Sequence, residues 1–345
     1  MTDLYKKIAD IDNIIEAWDE IKAGRSESDN FLKFSADWPS LIFDIHNHLI
    51  YHTWRPHPEN NIEFWIREPK LRHITAPPLN DRLVHHAIIR QVLPRFESYF
   101  SNSSYACRLG RGTIKAAIRL QKELIIALSK WGKDFYIVEL DIKSYFQTIN
   151  HNVVKELIKR IIPEEDVQTL LYMIVDSIPA GLPIGFLPSQ HLANLVGSII
   201  DYFLSDIIGI SHVRYMDDIR AFVKTKDDAK NVLIALDVLV TNKMHQTISQ
   251  KKSFCKKFKG SVRFCGYNVH PHYLSLIAKS KKRSERVVQR KIRDYRNGLI
   301  SAKKLHDTAA SISARFDNVT DNVPACIVDA FRIANIKSKR SAPYL

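Results

Sequence analysis

RYMDDIR, residues 214–220, sets two carboxylates, Asp217 and Asp218, side by side among the apolar side chains of Tyr215, Met216 and Ile219. Like charges at neighbouring positions repel, and each loses hydration in apolar surroundings. A counter-charge must neutralise them. The flanking pattern over 213–223 alternates as a half-buried hairpin does, with its tip near residues 216–218. A third carboxylate offers itself upstream. Residues 135–140, FYIVEL, are rich in β-formers and end at Asp141, which reads as a buried strand delivering an acid at its C-terminal end. If strand and hairpin share one sheet, Asp141, Asp217 and Asp218 converge at its edge. Three acids in a small volume are tolerable around divalent cations, and oxygen-only ligands suit Mg2+ or Mn2+. Two such ions about 4 Å apart activate an attacking hydroxyl and stabilise a leaving pyrophosphate.

Working outward, residues 4–50 read as two amphipathic helices, with Ile8, Ile11, Ile14, Ile15 and Trp18 recurring at three and four. Residues 51–75 read as loops and a strand hairpin, and 80–98 and 112–130 as helices. Asn150 is a cap for a helix running to about 160, and a long helix follows over 189–207. Residues 226–244 read as helix, 262–269 as a strand and 280–297 as a basic helix. This order predicts an α/β (α+β) chain with a mixed sheet covered by helices on one face.

Hydrophobic residues make up 45% and charged residues 26% of the 345, the ordinary mix of a globular chain. The first thirty residues carry no signal-peptide core, and the longest uncharged apolar run, 192–200, is too short to span a membrane. The four cysteines, 107, 255, 265 and 326, lack CxxC spacing, which favours reduced thiols and a cytoplasmic location. His46-Asn47-His48 spells HNH without the context of that nuclease, and reads as packing or surface. The net charge of +14 is unevenly placed: residues 251–300 hold 15 Lys and Arg against Glu285 and Asp294, and the rest of the chain is nearly balanced. Such concentration points to a polyanionic partner.

With these motifs in order, the chain resembles the reverse transcriptases. YMDD (215–218) is similar to their YxDD signature, LDIKSYF (140–146) to their first palm motif, and GLPIGFLPSQ (181–190) to a GxxxSQ middle motif. FCGY (264–267) resembles the primer-grip motif. EPKLR (68–72), DRLV (81–84), and SYACR (104–108) with Gly112-Thr113 resemble fingers motifs. The likeness covers roughly 60–275 and is nearest to group II intron-like bacterial or phage-encoded enzymes, particularly those of diversity-generating retroelements. It implies a right-hand polymerase with a mixed or antiparallel palm sheet covered by helices: an N-terminal helical segment (1–55), fingers (56–135), palm (136–275) and a short basic helical thumb (276–345).

The resemblance also implies roles. Asp141, Asp217 and Asp218, with the backbone of Ile142, would hold two Mg2+ ions, Asp218 the less directly. Lys70 and Arg72 would clamp the triphosphate, Arg as a planar fork and Lys as a point charge. Phe146 would exclude a ribose 2′-hydroxyl, unless it is an ordinary core aromatic. Ile184 and Gln190 would lie beside the incoming nucleotide, and Lys251 or Lys252 would protonate the pyrophosphate. Arg108, Arg111 and Lys115 in a Gly-containing loop would track the template, and Tyr267, Lys281, Lys282, Arg283 and Arg290 the primer–template duplex. The expected partners are an RNA template, the RNA/DNA duplex, dNTPs, and an accessory protein or noncoding RNA encoded nearby; a homo-oligomer is compatible with these.

The expected activity is RNA-directed DNA synthesis in a diversity-generating-type retroelement, or else in antiphage defence. A catalytically silent RNA-binding scaffold is the reading from another class, and RNA synthesis is held back by Phe146. Two departures weaken the diversification role: Phe186 and Pro188 replace small polar and Thr positions, and 306–324 lacks a Trp/Gly/His-containing counterpart. No RNase H or integrase domain is expected in the residues after FCGY.

Overall fold

The computed structural model describes residues 1–23, 37–67 and 71–334. At its centre an antiparallel four-stranded sheet runs in the order β4-β5-β3-β6, formed by β3 (Tyr136–Leu140), β4 (His212–Tyr215), β5 (Asp218–Val223) and β6 (Phe254–Lys257). Leu140 lies opposite Ile219 and Glu139 opposite Arg220, so the end of β3 meets the start of β5. Tyr215 pairs with Asp218, and the hairpin closes over Met216 and Asp217 alone. Of the mixed or antiparallel arrangement expected for the palm sheet, the antiparallel one is found: every ladder in it is antiparallel.

Alternation along the strands divides the core in two. Val138, Leu140, Ile219, Ala221 and Val223 face one apolar cluster. Against it pack α9 (Leu187–Tyr202), α10 (Lys226–Met244) and the N-terminal helices. Ile137, Val213 and Phe222 face the other cluster. That side is closed by α5 (Thr113–Trp131) and a three-stranded antiparallel sheet, β7 (Val262–Phe264), β8 (Tyr267–Val269) and β9 (Leu274–Leu276). The C-terminal helices α11 (Ala278–Arg296), α12 (Ala302–Ser313) and α13 (Ala325–Ile333) join it. Both faces are therefore covered rather than one, because β3 and β5 are apolar on both sides.

The N-terminal region contains three described helices where two were expected: α1 (Asp3–Ala9), α2 (Ile11–Ala23) and α3 (Trp38–Ile50). Asp10 breaks the first stretch: its backbone is extended, and its carboxylate accepts from the Asp12 amide at 2.8 Å, as an N-cap does. These helices pack on α4 (Leu79–Tyr99), and the Thr2 amide bonds Asp166 of α8 (Glu165–Asp176) at 2.7 Å. The segment thus shares one continuous core with the central sheet. A hairpin of β1 (Ile62–Arg67) and β2 (Leu71–Ala76) projects beyond α4. Two short helices, α6 (Tyr145–Thr148) and α7 (His151–Ile161), follow β3, and the Asn150 side chain caps α7 as expected. The 189–207 helix ends at Tyr202 and continues as a five-residue π turn, Phe203–Ile207. The expected 262–269 strand is two strands, bent at Cys265 and Gly266, both with positive φ (49° and 90°).

Candidate active site

The acids that the sequence singled out come from two neighbouring strands. β3 releases Asp141 at its end, and the β4–β5 hairpin presents Asp217 in its turn and Asp218 as its first residue after the turn. Met216 holds the turn at φ 56°, a left-handed conformation that costs a non-Gly side chain of order 1 kcal/mol or more and persists where surroundings over-determine it. Asp141 is fixed by the loop after α10. Its carbonyl accepts from the Ser249 amide at 2.7 Å, and its amide donates to the Ser253 hydroxyl at 3.2 Å.

Each carboxylate is balanced differently. Lys252 Nζ contacts both oxygens of Asp141 at 2.5 Å. Asp218 is ion-paired by Arg220, which also reaches Glu139 at 3.3 Å, donates to the Arg263 carbonyl at 3.2 Å and lies over the Phe264 ring. Burial raises the Asp218 pKa, and Arg220 opposes the rise. Asp217 is left with the worst balance: burial first, then the negative charge of Asp141, push its pKa up to about 6, with Asp218 adding to the rise. Among the described residues no three His, Cys, Asp or Glu side chains are arranged as they stand to hold a metal ion. The donor chemistry nevertheless fits a hard cation, since Asp141 and Asp217 are oxygen donors and the charge of Asp141 is close enough to raise the cost of ionising Asp217. A cation between them would take over the role that Lys252 now plays at Asp141.

A strap over 181–186 joins this edge to the β1–β2 hairpin. The Leu182 amide bonds the Phe146 carbonyl at 2.8 Å, and the Ile184 carbonyl accepts from the Thr75 amide at 2.9 Å. Gly185 has φ +132° and lies so close that a Cβ there would stand 2.3 Å from the Thr75 carbonyl oxygen. Phe146 is half-buried, edge-to-face on Tyr145 at 5.9 Å, and Ile184 is half-buried. Gln190 is exposed, accepts from the Cys107 thiol at 3.0 Å, and lines a cleft of 280 Å3 with Arg82, His86 and Gly185. Arg72 is exposed on β2, while Lys70 lies outside the described residues. Of the two departures, Phe186 packs on His85 at 5.0 Å and Pro188 is also buried, so both are packing positions.

Two of the residues expected at nucleic acid are buried. The Arg108 guanidinium is held by Glu97 at 2.8 Å and by the Ser101 and Ser104 carbonyls, so it braces its loop. Tyr267, the first residue of β8, is buried in the second core cluster. Arg111 bonds Asn102 over the Tyr105 ring, and Lys115 is exposed. On α11, Ser284, Val288 and Ile292 form the buried stripe. Lys282 and Arg290 are exposed, Arg283 half-exposed, and Lys281 lies 3.7 Å from Asp321. Of the lysine pair left open, Lys252 is the one on Asp141, and Lys251 is exposed.

Sequence reasoning missed what lies beneath the hairpin. Arg214 is fully buried against Asp201, which holds His212 as well. Those partners draw the Asp201 pKa down to about 2 against the opposing effect of burial. The signal was present: an arginine inside a buried strand needs a buried acid, and Asp201 is the acidic residue near the C-terminal end of the long helix Leu187–Tyr202.

An antiparallel sheet carrying paired acids at one edge, with helices behind and a hairpin in front, defines a template-dependent polymerase fold. The family model for reverse transcriptase (RNA-dependent DNA polymerase) matches residues 60–269, and the chain belongs to that family. Protein YkfC of Escherichia coli (strain K12) is 25% identical over 182 residues, covering 50% of this chain and 45% of that protein. Among solved structures, apo telomerase from Candida tropicalis superposes with a TM-score of 0.53 at 15% identity, covering 73% of this chain and 52% of that one. Telomerase from Candida albicans in complex with a TWJ fragment of telomeric RNA gives 0.52 at 10% identity, covering 79% and 54%. The chain thus spans about half the length of these relatives.

Proposed function

We propose that the chain is an RNA-directed DNA polymerase that extends a primer with dNTPs along an RNA template. The observation that carries this is the convergence of Asp141 and Asp217 at one sheet edge, in a chain of the reverse transcriptase family. Asp141, Asp217 and the Ile142 carbonyl would hold divalent cations, Mg2+ or alternatively Mn2+, which supply the Lewis acidity for an attacking 3′-hydroxyl and a departing pyrophosphate. Asp218, engaged by Arg220, contributes less directly. Phe146 presents its ring where a ribose 2′-hydroxyl would crowd it. Arg72 and Lys70 take the triphosphate, Ile184 and Gln190 border the nucleotide, and Lys252 is the amine poised to donate a proton to pyrophosphate. In this reading 1–55 is an N-terminal helical segment, 56–135 fingers, 136–275 palm and 276–345 a basic thumb.

Incorporation of dTTP on poly(rA)/oligo(dT) with Mg2+ tests it. Wild type should extend the primer and Asp217→Asn should not, at unchanged template affinity. A folded wild type that incorporates nothing on any RNA template with Mg2+ or Mn2+ would leave the silent scaffold in its place. For the cellular role we favour a diversity-generating-type retroelement with an accessory protein. A template repeat and variable repeat near the gene would support it; a defence island with a structured noncoding RNA would assign the chemistry to antiphage defence.

A further inference from the structure

Among the described residues Arg214 is the largest fully buried side chain, and every N–H of its guanidinium has an acceptor. Nε donates to Asp201 Oδ1 at 2.8 Å, and Nη2 donates to Asp201 Oδ2 at 2.6 Å and to the Asn194 carbonyl at 3.3 Å. Nη1 donates to Asn194 Oδ1 at 2.9 Å and to the carbonyl of Met216 at 3.3 Å. Asp201 and Asn194 both belong to α9, whereas Met216 is the left-handed residue of the hairpin turn, one position before Asp217. The side chain therefore spans from the helix behind the sheet to the tip of the hairpin.

The surroundings are shaped around that span. A Cβ on Gly197 would stand 2.3 Å from Nη1 and 2.6 Å from Cζ, so α9 carries glycine where the guanidinium crosses it. His212 Nε2 lies 2.8 Å from Asp201 Oδ1, and Ser104 donates to Asn194 Oδ1 at 2.8 Å, so both side chains that accept from Arg214 are themselves held. The backbone is clamped too: the Arg214 amide donates to the Ser103 carbonyl at 2.8 Å, and its carbonyl accepts from the Tyr105 amide at 3.0 Å. A buried charge pair is a poor source of net stability, because desolvation offsets most of the attraction. What it supplies here is direction, since a planar five-donor fork fixes several acceptors at once and a lysine offers only three rotatable donors.

We infer that Arg214 is a positioning residue for the reaction: braced by Asp201 and Asn194, it holds the Met216 carbonyl and with it the strained turn that aims Asp217 at Asp141. This rests on the polymerase reading of the same site. Misplacing a reacting group by about 1 Å costs on the order of a hundredfold in rate, so the turn needs such a brace.

Two variants separate positioning from stability. Gly197→Ala keeps both charges and forces the guanidinium to move, and Asp201→Leu/Arg214→Met replaces the pair by apolar groups of similar size. Melting temperature, kcat and KM for dTTP on poly(rA)/oligo(dT), and Mn2+ affinity by electron paramagnetic resonance without nucleotide are measured for each. The double variant should fold with a melting temperature near or above wild type, yet lose kcat by about a hundredfold with KM for dTTP changed less than about threefold. Gly197→Ala should weaken Mn2+ binding by about tenfold. A double variant that regains wild-type kcat along with its stability overturns the inference, as does wild-type Mn2+ affinity in Gly197→Ala. A wild type that binds Mn2+ but incorporates nothing overturns the polymerase reading alone, and the Mn2+ comparison then decides the role of Arg214.

Discussion

Asp217 carries the cost of the site, and that cost has a sign. Burial and the charge of Asp141 raise its pKa to about 6, so the folded protein binds that proton more tightly than the unfolded chain, where the value is 3.8. Its contribution to stability is therefore full below about pH 4 and is lost as pH rises through 6. Without divalent metal, Asp217→Asn should melt close to wild type at pH 4 and above it at pH 7; equal melting temperatures at both would refute the strained carboxylate. The same titration predicts that Mg2+ stabilises wild type less at pH 5 than at pH 7.5. A second expectation concerns Phe146, which is half-buried and so retains an open edge. Phe146→Ala should raise use of ribonucleotides relative to dNTPs by tenfold or more, read as the ratio of kcat/KM for UTP and dTTP; an unchanged ratio would make the ring packing alone. At this scale the acids were legible because each lies in a short local pattern. The choice of Lys252 over Lys251, the span of Arg214 to the Met216 carbonyl, and the buried states of Arg108 and Tyr267 were not, because they depend on which distant residue arrives beside them.

At the scale of elements, periodicity identified most helices, and the β-formers of 135–140 marked the central strand. It faltered where a single residue redirects the chain: Asp10 at an internal cap, Cys265-Gly266 at a bend, and Tyr202 where an α-helix becomes a π turn. The two-sided covering of the sheet was also hidden, since strands apolar on both faces do not say what will cover each one. The strap over 181–186 makes the element-scale prediction. Its Gly185 touches the Thr75 backbone, and the adjacent Ile184 carbonyl takes the Thr75 amide. Gly185→Ala combines a disfavoured φ with a steric clash, which together cost about 1–3 kcal/mol locally. Hydrogen exchange at the Thr75 amide should accelerate by about tenfold or more, and KM for dNTPs should rise because the hairpin bearing Arg72 is no longer held against the strap. Protection at Thr75 equal to wild type would show that the contact is not what docks the hairpin.

Over the whole molecule, charge is as ordered as the fold. The window 251–300 carries 15 basic and 2 acidic residues, and much of that excess lies on α11. There Lys282, Arg286, Arg290 and Arg293 are exposed while Ser284, Val288 and Ile292 anchor the helix to the second core cluster. That cluster also covers the far face of the central sheet, so a duplex gripped by α11 would rest on the same core cluster that contains Phe264, against which Arg220 lies while pairing with Asp218. Phosphate contacts of this kind depend on counterion release, each neutralised phosphate adding about 0.7–0.9 to the slope of log affinity against log salt. Replacing Lys282, Arg286 and Arg290 together by Gln should therefore flatten that slope for an RNA/DNA duplex by about two to three, with little change in melting temperature because none of the three is buried. Exchanging the duplex for one of different sequence should alter neither slope, since the helix offers charge to the backbone and no base-reading pattern. A slope unchanged by the triple substitution would detach α11 from the duplex and move the source of affinity to the lysines of 251–259, of which Lys252 contacts Asp141.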